Sequence, residues 1–160
     1  MEPGTSCDHG TPANVSLMID ARQRELIRAT FELIRQDKQR AGQLFYEELF
    51  ALAPEVEEMF AGVSIMAQGG KLMQMLEWAV DHLEDPVASR SQLEQLGERH
   101  VGYQVRTDHY AAVGSALLRT VKKLVGPDLF EEAEDAWVEF YTYLSMTMEK
   151  GARAPSAQST

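Results

Sequence analysis

Cysteine is almost missing from this chain. The single one, Cys7, excludes an internal disulfide and fits a reducing compartment such as the cytoplasm. Positive charge is scarce too: 15 Lys and Arg stand against 25 Asp and Glu, a formal net charge of −10. Like charge repels phosphate, so nucleic acid and anionic membrane surfaces are excluded as natural partners. No apolar run is long enough to span a bilayer. The first residues, MEPGTSCDHGTPANVS, have neither the positive start nor the apolar centre of a signal peptide. Alternating strand patterns and internal repeats are also absent. Cys7 and His9 make a thin pair of metal ligands in a Gly- and Pro-rich stretch, which reads instead as a frayed terminus.

What is present is helix signal. The 160 residues, 44% of them hydrophobic, suit one domain with a sizeable core. Residues 1–19 and 152–160 read as flexible tails, leaving 20–151 as the folded unit. Asp20 caps a helix over 21–35 with Leu26, Ile27, Phe31 and Ile34 inward, and Asp37 caps one over 38–52. Pro54 starts a short helix carrying Val56, Met59 and Phe60. Ser64 opens a long one to about Leu83, with a stripe of Leu72, Met75, Leu76, Ala79 and Leu83. Ser89 and Gln92 form a capping-box pattern for the next. Thr107 opens another through Val113, Leu117, Val121 and Leu124, stopped at Gly126-Pro127. Asp128 and Glu131 form a second box for a final helix with Ala133, Trp137, Phe140, Leu144 and Met148 inward. Seven helices of unequal length favour oblique crossings near roughly −50°, so the fold class is all-α.

Two features carry chemistry. Leu93, Leu96 and His100 share one helix face, so an imidazole stands where another Leu belongs. It is either a core histidine satisfied by backbone carbonyls or a metal ligand bound through one ring nitrogen while the other donates a hydrogen bond. The second feature is a pair of mid-helix glycines, Gly42 and Gly69, each disfavoured by about 1 kcal/mol relative to Ala. If the two meet at a close crossing, Tyr46 and Gln68 converge in an apolar pocket beside Leu72. If they do not, Tyr46 lies half exposed.

The ordered set LFYEELFALAPEVEEMF, AQGGKLMQML, LGERHVGYQVRTDHYAAVGSALL and DAWVEFY resembles the globins, specifically the bacterial single-domain globins related to the globin half of flavohaemoglobins. The resemblance covers about Asp20 to Glu149. It implies a globin fold around haem b, iron protoporphyrin IX, with His100 as the proximal iron ligand. It places Phe60 on the porphyrin, with Leu72, Leu96 and Val105 lining it. Lys71 is set to reach a haem propionate or simply to remain solvated, while Tyr46 and Gln68 face the sixth coordination position. His82 and His109 read as surface residues, and Met66, Met73 and Met75 as soft core packing, with a Met-ligated form as the alternative. Tyr110 matches the tyrosine that, in flavohaemoglobins, helps a glutamate polarise the proximal histidine. That glutamate's position is Ala152 here, and Glu149 lies one helical turn early. O2, NO and CO are the implied ligands. Tight O2 binding with oxidation of NO to nitrate, using an external reductant, is the implied function, against storage or delivery of O2, or gas sensing, without turnover.

Overall fold

Wherever apolar residues recur three or four apart the chain coils, and each coil buries that face. The computed structural model describes residues 19–101 and 106–153, among which there are seven α-helices and no strand. Helix α1 spans Ala21–Arg35, α2 Lys38–Leu52 and α3 Pro54–Glu57, followed by a 3₁₀ turn over Glu58–Phe60. Helix α4 spans Ile65–Asp81, α5 Pro86–Val101, α6 Thr107–Val125 and α7 Pro127–Ala152. No helix of the described residues is long and apolar enough to cross a membrane.

Local chemistry sets most boundaries. The Asp20 carboxylate accepts the Gln23 amide at 2.8 Å, and the Gln23 side chain accepts the Asp20 amide at 3.2 Å, closing a capping box. Asp37 and Ser64 accept the Arg40 and Ala67 amides at the starts of α2 and α4. Gly126, at φ 94°, makes the turn out of α6 that an L side chain resists.

Two expected caps are corrected. Helix α5 starts at Pro86 rather than after Ser89, because Asp85 caps it by accepting the Ala88 amide at 3.3 Å. Ser89 is buried one turn in, its hydroxyl 2.9 Å from that of Tyr143 on α7. The Asp128–Glu131 box does not form: Pro127 takes the first position of α7, with Gly126 as N-cap and no side-chain cap. At the outer bounds, Ile19 is buried in the core, and α7 runs through Ala152. Residues 1–18, Cys7 and His9 among them, lie outside the described residues.

The core gathers Ile27 and Phe31 from α1, Phe45 and Leu49 from α2, Leu76 and Val80 from α4, Val121 from α6, and Trp137 and Phe140 from α7. Within it the Trp137 indole N–H donates to the Thr30 hydroxyl at 2.8 Å, so the one polar edge of the largest side chain is satisfied. Glu48 on α2 is also buried, and Lys123 and Arg119 of α6 hold its carboxylate, the latter at 3.8 Å. That pairing keeps a low-dielectric carboxylate compensated while tying α2 to α6.

Two helix pairs approach until backbone meets backbone. At the α2–α4 crossing, a Cβ on Gly42 would stand 2.8 Å from the Gly69 Cα, and one on Gly69 would stand 3.2 Å from the Gly42 Cα. The crossing anticipated from the two glycines is therefore the one formed. The α5–α7 pair was not anticipated. A Cβ on Gly97 would overlap the Met148 carbonyl, and one on Gly151 would overlap that of Glu94. Gly70, by contrast, has nothing within 4 Å of its hypothetical Cβ. Gly42→Ala is expected to lower stability by about 1–3 kcal/mol through overpacking. Gly70→Ala should be neutral or raise it by about 0.5–1 kcal/mol through helix propensity. Urea unfolding of the two variants checks this, and equal midpoints would mean that the crossing tolerates a methyl group.

Candidate functional site

The α2–α4 contact decides what lies beside it. Tyr46 follows Gly42 by one helical turn and Gln68 precedes Gly69, so helices that touch at the glycines bring the two polar side chains together. Tyr46 is only 6% exposed, and the Gln68 side chain lies beside its hydroxyl. Burial pushes its pKa up to about 12, and the Gln68 side chain offsets part of that rise. Aromatic rings enclose it. Phe45, Phe60 and Phe50 lie 5.0, 5.3 and 5.8 Å away between ring centroids, the first two edge-on. Phe60 arrives from the 3₁₀ turn after α3, so α2, this turn and α4 converge on one phenol.

His100 stands on a different pair, α5 against α7. Its Nδ1 lies 2.8 Å from the Leu96 carbonyl, which places the ring proton there and makes Nε2 the Lewis-basic nitrogen. Burial lowers its pKa, opposed by the Leu96 carbonyl, and Arg99 lowers it further, which favours the neutral ring that a ligand needs. The carbonyl bond alone does not mark a ligand. His82 makes the same bond to the Trp78 carbonyl, at 2.8 Å, and stacks half-buried on that indole at 4.3 Å. What separates His100 is its apolar face, shared with buried Leu93 and half-buried Leu96.

Tyr110 of α6 is buried, and its hydroxyl has no hydrogen-bond partner among the described residues, an orphaned polar atom of the kind a bound group or water satisfies. Burial raises its pKa and the Glu149 carboxylate adds to the rise, so Glu149, though not at the family position, acts electrostatically on this tyrosine. The Tyr141 hydroxyl donates to the Tyr110 carbonyl at 2.6 Å. Tyr141 went unremarked in the sequence. Its signal was Gly114, where an added Cβ would stand 2.7 Å from the Tyr141 ring.

The remaining candidates are scattered. Leu72 and Leu96 are half-buried and packed on the core, whereas Lys71 is exposed. Val105 lies outside the described residues. Met66 is 67% exposed while Met73 is buried, so the three methionines do not converge as a ligand set. His109 is corrected: it is buried, not on the surface. Its Nδ1 accepts the Arg106 backbone N–H at 2.9 Å, satisfying a donor that the start of α6 leaves without an intrahelical partner.

The fold is all-α, with an apolar-face imidazole on one helix pair and a phenol beside an amide on another. The globin family profile matches residues 43–148, and the chain belongs to that family. It is similar to the flavohemoprotein of Bordetella pertussis, 29% identical over 132 residues, 80% of this chain but 32% of the relative's length. The chain thus spans about a third of the flavohemoproteins it matches. It is also similar to neuroglobin-1 of Oncorhynchus mykiss, 26% identical over 81% of this chain and 90% of that protein. Among solved structures, a hexacoordinated heme protein from an anhydrobiotic tardigrade shares the fold. Its TM-score is 0.79 and its identity 13%, over 86% of this chain and 97% of that one.

Tyr46 gives the site a test independent of any ligand. Its folded pKa of about 12 exceeds the ordinary 10.0, so its contribution to stability is complete below pH 10 and is lost as pH rises through about 12. That loss amounts to about 2–3 kcal/mol. Tyr46→Phe should therefore show a smaller fall in urea midpoint between the two pH values than the parent protein. An equal fall would place the phenol in water.

Proposed function

We propose that this chain binds haem through His100 and uses Tyr46 and Gln68 to hold O2 tightly enough to oxidise NO to nitrate. Family membership supports the cofactor. The observation that carries the rest is the buried Tyr46 phenol beside Gln68 inside an aromatic wall. The residues present suit haem b. His100 offers Nε2 from a ring held at Nδ1, Phe60 offers an aromatic face, Leu72 and Leu96 offer apolar lining, and Tyr110 offers an orphaned hydroxyl. Lys71 is exposed and free to turn to a propionate or to water.

Haem, when bound, supplies an iron with one position for a diatomic gas. The chain's own groups set how long the gas stays. Tyr46 and Gln68 would donate toward that gas, and a hydrogen bond to a charged acceptor contributes about 1.5–3 kcal/mol. Two donors therefore slow O2 release by roughly a hundredfold or more. Phe45, Phe50 and Phe60 keep water from competing for those donors. Long retention suits a protein that holds O2 until NO arrives. The overall reaction, NO + O2 + e⁻ → NO₃⁻, needs one electron per turnover from an external reductase, in keeping with the flavohemoprotein likeness. The scarcity of cysteine suits a reducing cytoplasm.

A second reading rests on the neuroglobin likeness, which extends over 90% of that relative's length. On it the chain stores, delivers or senses gas without turnover. Stopped-flow mixing of the oxygenated protein with NO separates the two: stoichiometric nitrate within the mixing time supports the dioxygenase, and its absence leaves storage or sensing.

His100→Ala should strip haem from the purified protein, with exogenous imidazole restoring part of it. Full retention by the variant would assign the iron to another ligand. Tyr46→Phe should speed O2 dissociation about tenfold or more; an unchanged rate would show that the hydroxyl points elsewhere.

A further inference from the structure

The corner between α3 and α4 departs from the rest of the surface in two ways. Three of the exposed large hydrophobic residues fall within it, Met59 at 37%, Val63 at 43% and Met66 at 67%, inside eight consecutive residues. Its charge is mostly acidic: the stretch PEVEEMFAGVSIMAQGG carries Glu55, Glu57 and Glu58, all exposed, and no Lys or Arg, with Lys71 directly after it. An apolar centre with an acidic rim is the composition of an interaction patch.

The corner also lies one side chain from the candidate site. Met59 faces solvent, while the next residue, Phe60, packs its ring 5.3 Å from that of Tyr46. On its other flank, Glu55 acts electrostatically on Arg106, at the start of the helix that follows the His100 segment. The patch therefore adjoins the wall of the Tyr46 pocket.

We propose that this corner is the docking surface for the protein that supplies electrons, a one-electron donor presenting a basic rim around an apolar contact. The inference rests on the proposed function, which needs such a donor. The acidic rim selects the occupant. A second copy of this chain would bring like charge against like charge, and an anionic lipid surface would be repelled in the same way. A basic protein is steered in, and flexible methionines at the centre adapt to it without a fixed lock. Electron-transfer contacts are small and transient, which a corner of this size can provide.

Ferricytochrome c, a basic one-electron protein, serves as probe, titrated calorimetrically into the ferric holoprotein at low ionic strength so that no electron moves. Glu57→Gln/Glu58→Gln should weaken binding about fivefold or more. The control Glu134→Gln/Asp135→Gln, an equal charge change on exposed positions of α7, should weaken it about twofold or less. Met66→Ser should weaken binding while leaving its salt dependence unchanged. Electron transfer from the deoxygenated ferrous protein to ferricytochrome c should follow the same order. Dithionite reduction should be equal in all variants. Equal weakening by the two charge pairs would reduce the effect to net charge and overturn the proposal, as would no binding by the parent protein. Self-association of the parent abolished by Met66→Ser would overturn it in favour of a second copy. None of these outcomes depends on reaction with NO, so the docking surface and the dioxygenase reading fail separately.

Discussion

One contact governs the arrangement on the Tyr46 side: helix α2 lies against helix α4 with no side chain between them. Neither Gly42 nor Gly69 has a Cβ, and a Cβ on Gly42 would stand within 3.0 Å of the Gly69 backbone. Everything next to that contact follows from it. The helices can come no closer and have no reason to part, so the positions one turn along and one residue back are brought within hydrogen-bonding reach. A phenol and an amide occupy those positions, and an aromatic wall from α2 and the turn after α3 shuts water away. Two residues disfavoured in helix interiors are retained because they fix the spacing of two others.

The same device recurs on the other side of the fold. Helix α5, which carries His100, lies against α7 with Gly97 and Gly151 at the points where backbone meets backbone. This pair positions the imidazole as the first positions the phenol. Between the two pairs, the Glu48 carboxylate held by Lys123 and Arg119 ties α2 to α6, and the Trp137–Thr30 bond ties α7 to α1. The candidate site thus rests on rigid helix contacts rather than on loops.

What could be read in advance followed local physics. Caps at Asp20, Asp37 and Ser64 and the Gly126-Pro127 stop are decided within a few residues, and there the boundaries agree. The Gly42–Gly69 crossing was legible because two costly glycines each had a polar residue close by, Tyr46 one turn on and Gln68 one residue back. The errors came where tertiary structure overrode a local pattern. Ser89 and Asp128 look like caps, but the Ser89 hydroxyl pairs with Tyr143, and Pro127 already occupies the first position of α7. His109 looked exposed because it sits at a helix start, yet that is where an unpaired backbone N–H waits for an acceptor. Gly97, Gly114 and Gly151 gave the same kind of signal as Gly42 but without an apparent partner glycine. Their partners, Met148, Tyr141 and Glu94, lie far along the chain.

The central claim is that the Tyr46 hydroxyl and the Gln68 amide point at a gas bound to haem held by His100. The infrared stretch of carbon monoxide on the reduced, haem-loaded protein reports the field at that point directly, because donors near the ligand oxygen weaken the carbon–oxygen bond. The account expects a single low-frequency band in the parent protein that moves to higher frequency in the Tyr46→Phe/Gln68→Leu double variant. The same band in both proteins, or no carbon monoxide complex at all, would contradict it.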